Sequence, residues 1–122
     1  MSSLHHQASE DLRLRVLHLL QQQPGLSQRQ LAQRLGISHG KAHYCLRALL
    51  DVGWIKLNNF AHSPHRLGYA YLLTPQGLSS KVALTQRFLQ RKQAEFEALR
   101  AEIDELQRSL PGSAHPLEPG DA

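Results

Sequence analysis

The sequence predicts a mainly α protein: three short helices and a two-stranded hairpin, followed by one long C-terminal helix. Three observations predict it. Apolar residues recur at helical spacing in three stretches before Gly53. Two short runs, WIKLNN at 54–59 and YAYLL at 69–73, read as strands around a polar loop. From Thr74 to about Leu110 the pattern is helical again.

Taken in order, residues 1–8 read as a flexible tail. Ser9 can cap a first helix, with Glu10 and Asp11 favourably placed at its positive end. Leu12, Val16, Leu19 and Leu20 form its apolar face, and Pro24 with Gly25 stops it after Gln23. The second helix, roughly 27–35, opens on a capping box formed by Ser27 and Gln30. Leu26 and Leu31 are spaced for a hydrophobic staple across that cap. Gly36 ends the helix, because glycine takes the left-handed conformation cheaply. Ile37 should plug into the core. Ser38 caps a third helix that Gly53 terminates. The stretch FAHSPHRLG between the strands is long for a hairpin loop, as a loop kept for contact would be. Thr74 followed by Pro75 starts the last helix.

In that last helix Val82, Leu89, Phe96, Leu99, Ile103, Leu106 and Leu110 follow a three-four repeat, with Thr85 and Lys92 as polar interruptions. The five from Phe96 onward run unbroken and predict a dimerisation seam, to which Leu89 also belongs. Val82, Leu84 and Phe88 can pack on the chain's own domain instead. In a parallel pair Glu95 falls opposite Arg100 of the second copy. The expected organisation is therefore a flexible tail (1–8), a domain over 9–74, a coiled-coil helix over 75–110 and a disordered Pro/Gly-rich tail over 111–122.

Hydrophobic residues make up 41% of the chain and charged ones 20%, which fits a folded chain rather than a disordered one. No apolar run approaches the roughly 18 residues needed to span a bilayer, and MSSLHHQASE lacks the pattern of a signal peptide. Cys45 is the single cysteine, which excludes a disulfide framework within the chain and fits the cytoplasm. Charge is uneven. Residues 1–80 hold eight Lys/Arg against three acids, net +5, while residues 81–122 hold six against seven, net −1. A polyanion-binding domain joined to a neutral appendage has this asymmetry.

The third helix carries two of those eight cations, Lys41 and Arg47. In LGISHGKAHYCLRALL, residues 35–50, Ala42, Cys45, Leu46 and Leu49 make one apolar face. The opposite face carries Gly40, Tyr44 and Arg47, flanked by Lys41 and His43, and no acid appears until Asp51. Two short helices joined by a glycine turn, with a helix before and a hairpin behind, form a winged helix-turn-helix. That geometry needs a small residue at Ala32, a turn at Gly36, and burial of Ile37, Ala42 and Leu46.

The run LAQRLGISHGKAHYCLRALLDVGWI, the polar loop, and LLTPQG at 72–77 resemble the MarR family of winged-helix transcriptional regulators. More narrowly, KAHYCLRALLDVGWIKLNNF, YAYLLTPQG and RFLQRKQAEFEALRAEI resemble the small subfamily associated with exopolysaccharide gene clusters. The likeness covers roughly residues 10–110. It implies a homodimer that binds double-stranded DNA and represses or activates nearby genes; many members answer to small-molecule effectors. Typical members carry an extra N-terminal helix, for which the stretch before Ser9 is too short. Their wings carry an acid near an arginine, whereas this one reads HSPHRL.

In this geometry the third helix enters the major groove. Arg47 suits bidentate contact with guanine, and Tyr44 a thymine methyl or a phosphate. His39, Lys41 and His43 can serve phosphates or bases. Ser38 and Gly40 bring the helix start close to the sugar-phosphate chain. Ser27, Gln28 and Arg29 are the expected backbone clamp. His65 and Arg66 in the wing, with His62 beside them, are placed for the minor groove.

The histidine pairs His39/His43 and His62/His65 lack further ligands at metal spacing, so neither a metal nor another cofactor is expected. Cys45 reads as a core thiol. No nucleophile motif, phosphate loop or carboxylate pair points to an enzyme. Two other readings stay open: an adaptor in which the same fold binds proteins without specific DNA, and a sensor responding to a metal or small molecule.

Overall fold

The structure is a computed structural model, and it describes residues 2–59 and 69–112, with side chains over 8–58 and 70–112. The elements run α1 (Ser2–Gln22), α2 (Gln28–Leu35), α3 (His39–Asp51), β1 (Ile55–Asn59), β2 (Tyr69–Leu73) and α4 (Pro75–Ser109). The fold is mainly α: a winged helix-turn-helix whose wing is the antiparallel β1–β2 pair, and a long C-terminal helix. The expected disordered segment lies outside the described residues except at Pro111 and Gly112, which form a turn. The loop between the strands lies outside them too.

Helix α1 begins at Ser2, so the flexible tail over 1–8 and the Ser9 cap are corrected: Ser9 lies within the helix, and its first turn carries no acid. Residues 2–8 contain neither glycine nor proline. Extending an existing helix adds one hydrogen bond per residue fixed, so nothing stops it short of Ser2.

The caps of α2 and α3 are as the sequence predicts. Ser27 Oγ accepts from Gln30 N at 3.1 Å and Gln30 Oε1 accepts from Ser27 N at 2.9 Å, closing the capping box. Gly36 sits at φ 68°, ψ 34°. Its left-handed turn lets Ile37 N donate to Ala32 O at 3.0 Å. Ser38 Oγ accepts from Lys41 N at 3.1 Å. Each such cap contributes about 1 kcal/mol.

The core of the N-terminal unit comprises Val16, Leu17 and Leu20 from α1, Leu31 from α2, Leu46 and Leu49 from α3, Ile55 from β1 and Leu84 from α4. Ala32 and Ala42 are buried where α2 meets α3, as a close helix crossing requires. Leu26 and Leu31 are both buried, as the staple requires. Two expectations shift in detail, and one strand residue is exposed. Leu17, not Leu19, is fully buried, because α1 packs against both α2 and β2 and needs a wide apolar arc. Ile37 is only partly buried. Leu57 is 48% exposed, although Tyr71, its partner across the ladder, packs against the core.

Chain compactness divides at Gln86/Arg87 rather than at the expected 74/75 boundary. The start of α4 belongs to the first unit because LTPQG straps it there. Thr74 N donates to Trp54 O at 3.0 Å. Thr74 Oγ1 donates to Gly53 O at 2.6 Å and accepts from Gly77 N at 3.0 Å. Gly77 is glycine because a Cβ there would lie 1.9 Å from Trp54 O.

Candidate nucleic-acid interface

Four residues of α3 lie on one stripe, because each step along a helix turns about 100°. Gly40, Tyr44, Arg47 and Asp51 share that stripe, opposite the buried Ala42, Cys45, Leu46 and Leu49. Tyr44 is 75% exposed. Lys41, His39 and His43 are exposed beside it, and nothing crowds a Cβ at Gly40.

Asp51, the first acid along α3, closes this face at its C-terminal end. Asp51 follows Arg47 by one helical turn, and its Oδ1 lies 3.7 Å from Arg47 Nε. Both side chains are about 70% exposed (70% and 67%), so water screens the pair. Such a pair contributes about 0–1 kcal/mol. A bidentate contact of an arginine with guanine contributes about 1–3 kcal/mol of discrimination, more than such a pair. Arg47 is held in place without being sequestered.

Helix α2 presents its first turn beside α3. His43 Nδ1 lies 3.2 Å from Gln28 Oε1, which ties the start of α2 to α3, and the next residue, Arg29, is exposed. Ser27 and Ser38 spend their hydroxyls on caps. What they offer an anion is the helix terminus behind them. Neither α2 nor α3 has an acid in its first turn, so the positive ends of both dipoles are unopposed. His65 and Arg66, with His62, lie outside the described residues.

One feature carried no periodic signal in the sequence. A cleft of about 260 Å³ lies between α1 and α3, lined by Leu12, Arg13, Lys41, Tyr44, Cys45 and Ala48 among others. Arg13 reaches it from α1, its guanidinium 5.9 Å from the centre of the Trp54 ring. Burial pushes the Cys45 thiol pKa up, and the nearby Arg13 and Lys41 charges pull the other way. Lys41 and Tyr44 thus serve two surfaces, the cleft and the exposed stripe.

In the second unit the expected seam residues are all exposed: Leu89 53%, Phe96 58%, Leu99 55%, Ile103 44%, Leu106 60% and Leu110 60%. Val82, in the first unit, is 58% exposed, whereas Leu84 is buried. Among the described residues no group of three or more His, Cys, Asp and Glu could hold a metal ion, and no helix is long and apolar enough to cross a membrane.

Residues 9–56 match the family described as winged helix-turn-helix DNA-binding. No curated protein matches the chain. Solved structures share its fold. The MepR–DNA complex of S. aureus is 24% identical over 80% of this chain and 77% of its own, with a TM-score of 0.56. MarR of Staphylococcus aureus, in complex with salicylate and kanamycin, is 16% identical over 79% of this chain and 67% of its own, at 0.55. The PcaV transcriptional regulator from Streptomyces coelicolor is 21% identical over 80% and 79%, at 0.54.

Proposed function

We propose that this chain is a MarR-type transcriptional regulator that binds double-stranded DNA as a homodimer, reading sequence with α3. The observation that carries the reading is the exposed stripe of Gly40, Tyr44 and Arg47 with Lys41 and His39 beside it, on a helix whose first turn has no carboxylate. A solvated helix face gains nothing from an outward tyrosine, whereas a groove-reading one does. Ser27, Gln28 and Arg29 hold the backbone, and His65 and Arg66 extend the contact from the wing.

One such domain makes few phosphate contacts, so its affinity is modest and strongly salt-dependent. Pairing two copies through Leu89, Phe96, Leu99, Ile103, Leu106 and Leu110 adds a second half-site about 10 bp away or at a multiple of that spacing. The resemblance of KAHYCLRALLDVGWIKLNNF to the exopolysaccharide-associated subfamily makes exopolysaccharide genes the first targets to test, and the cytoplasm the place of action. The S. aureus MarR structure holds salicylate. An effector of this chain would find room in the cleft beside Lys41 and Tyr44.

Selection of binding sites from random duplex DNA tests the reading. A recovered inverted repeat with two half-sites supports it. Recovery of no preferred sequence, with retention on heparin unchanged by Arg47→Ala, supports a protein-binding adaptor instead.

A further inference from the structure

We infer that the C-terminal segment of α4 pairs with a second copy in parallel and in register, as a two-stranded coiled coil over Phe96–Leu110. The inference rests on the homodimer proposed above and adds its orientation.

The repeat assigns each residue a place. Leu89, Phe96, Ile103 and Leu110 fall at a, and Lys92, Leu99 and Leu106 at d. Glu95 and Glu102 then fall at g, and Arg100 at e. A hollow of about 200 Å³ is lined by Phe96, Leu99, Arg100 and Ile103. These are successive a, d, e and a positions, the four that frame a hole centred on d. In a parallel pair the knob that enters it is the partner's Leu99. Ile at a between Leu residues at d is the pattern that favours two parallel strands.

Charge decides between orientations. In parallel, Glu95 meets the partner's Arg100, and symmetry supplies the contact twice. An antiparallel pair that sets Leu99 against the partner's Ile103 brings Glu102 against the partner's Glu102 and Arg100 against the partner's Arg100. Slipping by one heptad in one direction relieves the repulsion but leaves Phe96 without an apolar opposite; in the other it sets Ile103 against the partner's Lys92 and Glu95 against the partner's Glu102. Lys92 is the one cation at a core position. Its Nζ lies 3.2 Å from Glu95 Oε1 and 5.3 Å from the centre of the Phe88 ring, both in its own chain, which draws the charge to the edge of the seam.

Disulfide trapping of the full chain tests this. With Leu106→Cys, oxidised glutathione should give a covalent dimer readily, while the wild type, whose Cys45 is buried, should give almost none. In a mixture of Phe96→Cys and Leu106→Cys chains, a mixed dimer linking the two positions marks antiparallel pairing and overturns the inference while leaving the homodimer standing. Charge reversal avoids core substitution: Glu95→Arg should weaken association roughly tenfold, and adding Arg100→Glu should restore part of the loss, since both variants lack the Lys92–Glu95 contact. A double variant as weak as the single one overturns the orientation. A wild-type chain that stays monomeric overturns the homodimer itself, and the inference with it.

Discussion

Gly77→Ala should destabilise the N-terminal unit by about 3–4 kcal/mol, although helix propensity alone predicts the opposite sign. Ala is normally preferred to Gly within a helix by about 0.5–1 kcal/mol. Here the added Cβ would lie 1.9 Å from Trp54 O and 2.8 Å from Trp54 C, and both atoms are backbone. Relief needs the start of α4 to move off the α3–β1 turn by more than about 1 Å. That displacement stretches the Thr74 N to Trp54 O bond from 3.0 Å past hydrogen-bonding range and disturbs the Thr74 Oγ1 to Gly53 O bond. Overpacking costs about 1–3 kcal/mol and each lost bond about 1 kcal/mol, which outweighs propensity. Thermal and urea unfolding followed by circular dichroism reads the effect. At roughly 4–8 °C per kcal/mol for a unit of this size, Tm should fall by 10 °C or more. Gly40→Ala is the control, because its Cβ meets nothing within 4 Å. A Gly77→Ala protein as stable as the wild type would refute the strap.

The remaining predictions concern charge, thiol and seam. Arg29→Ala and Lys41→Ala should each reduce the slope of log K against log salt by about 0.9 per half-site, hence about 1.8 per dimer, measured by anisotropy on a selected duplex. Loss of affinity with an unchanged slope would show that the residue does not neutralise a phosphate. Cys45 should react with iodoacetamide at neutral pH at least about tenfold more slowly in the folded chain than in urea, because burial raises its pKa. The unfolded chain ionises that thiol first, so Cys45 contributes a fall in stability as pH rises above the ordinary thiol range, and Cys45→Ala should flatten it. Leu106→Asp should leave the N-terminal unit folded and the chain monomeric by sedimentation, with much weaker duplex binding.

The parts legible in the sequence were those set by local chemistry. Ser27 with Gln30, Gly36, Ser38 and Gly53 each satisfy a helix end within a few residues, so they mark α2 and α3 without tertiary information. The exposed stripe of Gly40, Tyr44 and Arg47 followed from helical spacing, and so did the exposed Leu and Ile residues late in α4. What stayed hidden depends on partners distant in the chain. Leu17 is buried because α1 faces two neighbours at once. The first residues of α4 join the N-terminal unit because Gly77 meets Trp54, more than twenty positions earlier. The cleft beside Lys41 needs Arg13, and nothing in the local pattern pairs residues 13 and 41. Asp51 was visible one turn after Arg47, but its meaning depends on the exposure of both.

The central claim, that α3 reads duplex DNA, is tested most directly by one titration: wild type against Arg47→Ala on the selected duplex and on a scrambled one, between about 50 and 200 mM salt. The account predicts that Arg47→Ala loses roughly ten- to a hundredfold on the selected duplex and far less on the scrambled one, with both complexes weakening steeply as salt rises. Equal losses on the two duplexes, or no binding to either at the lowest salt, would contradict it.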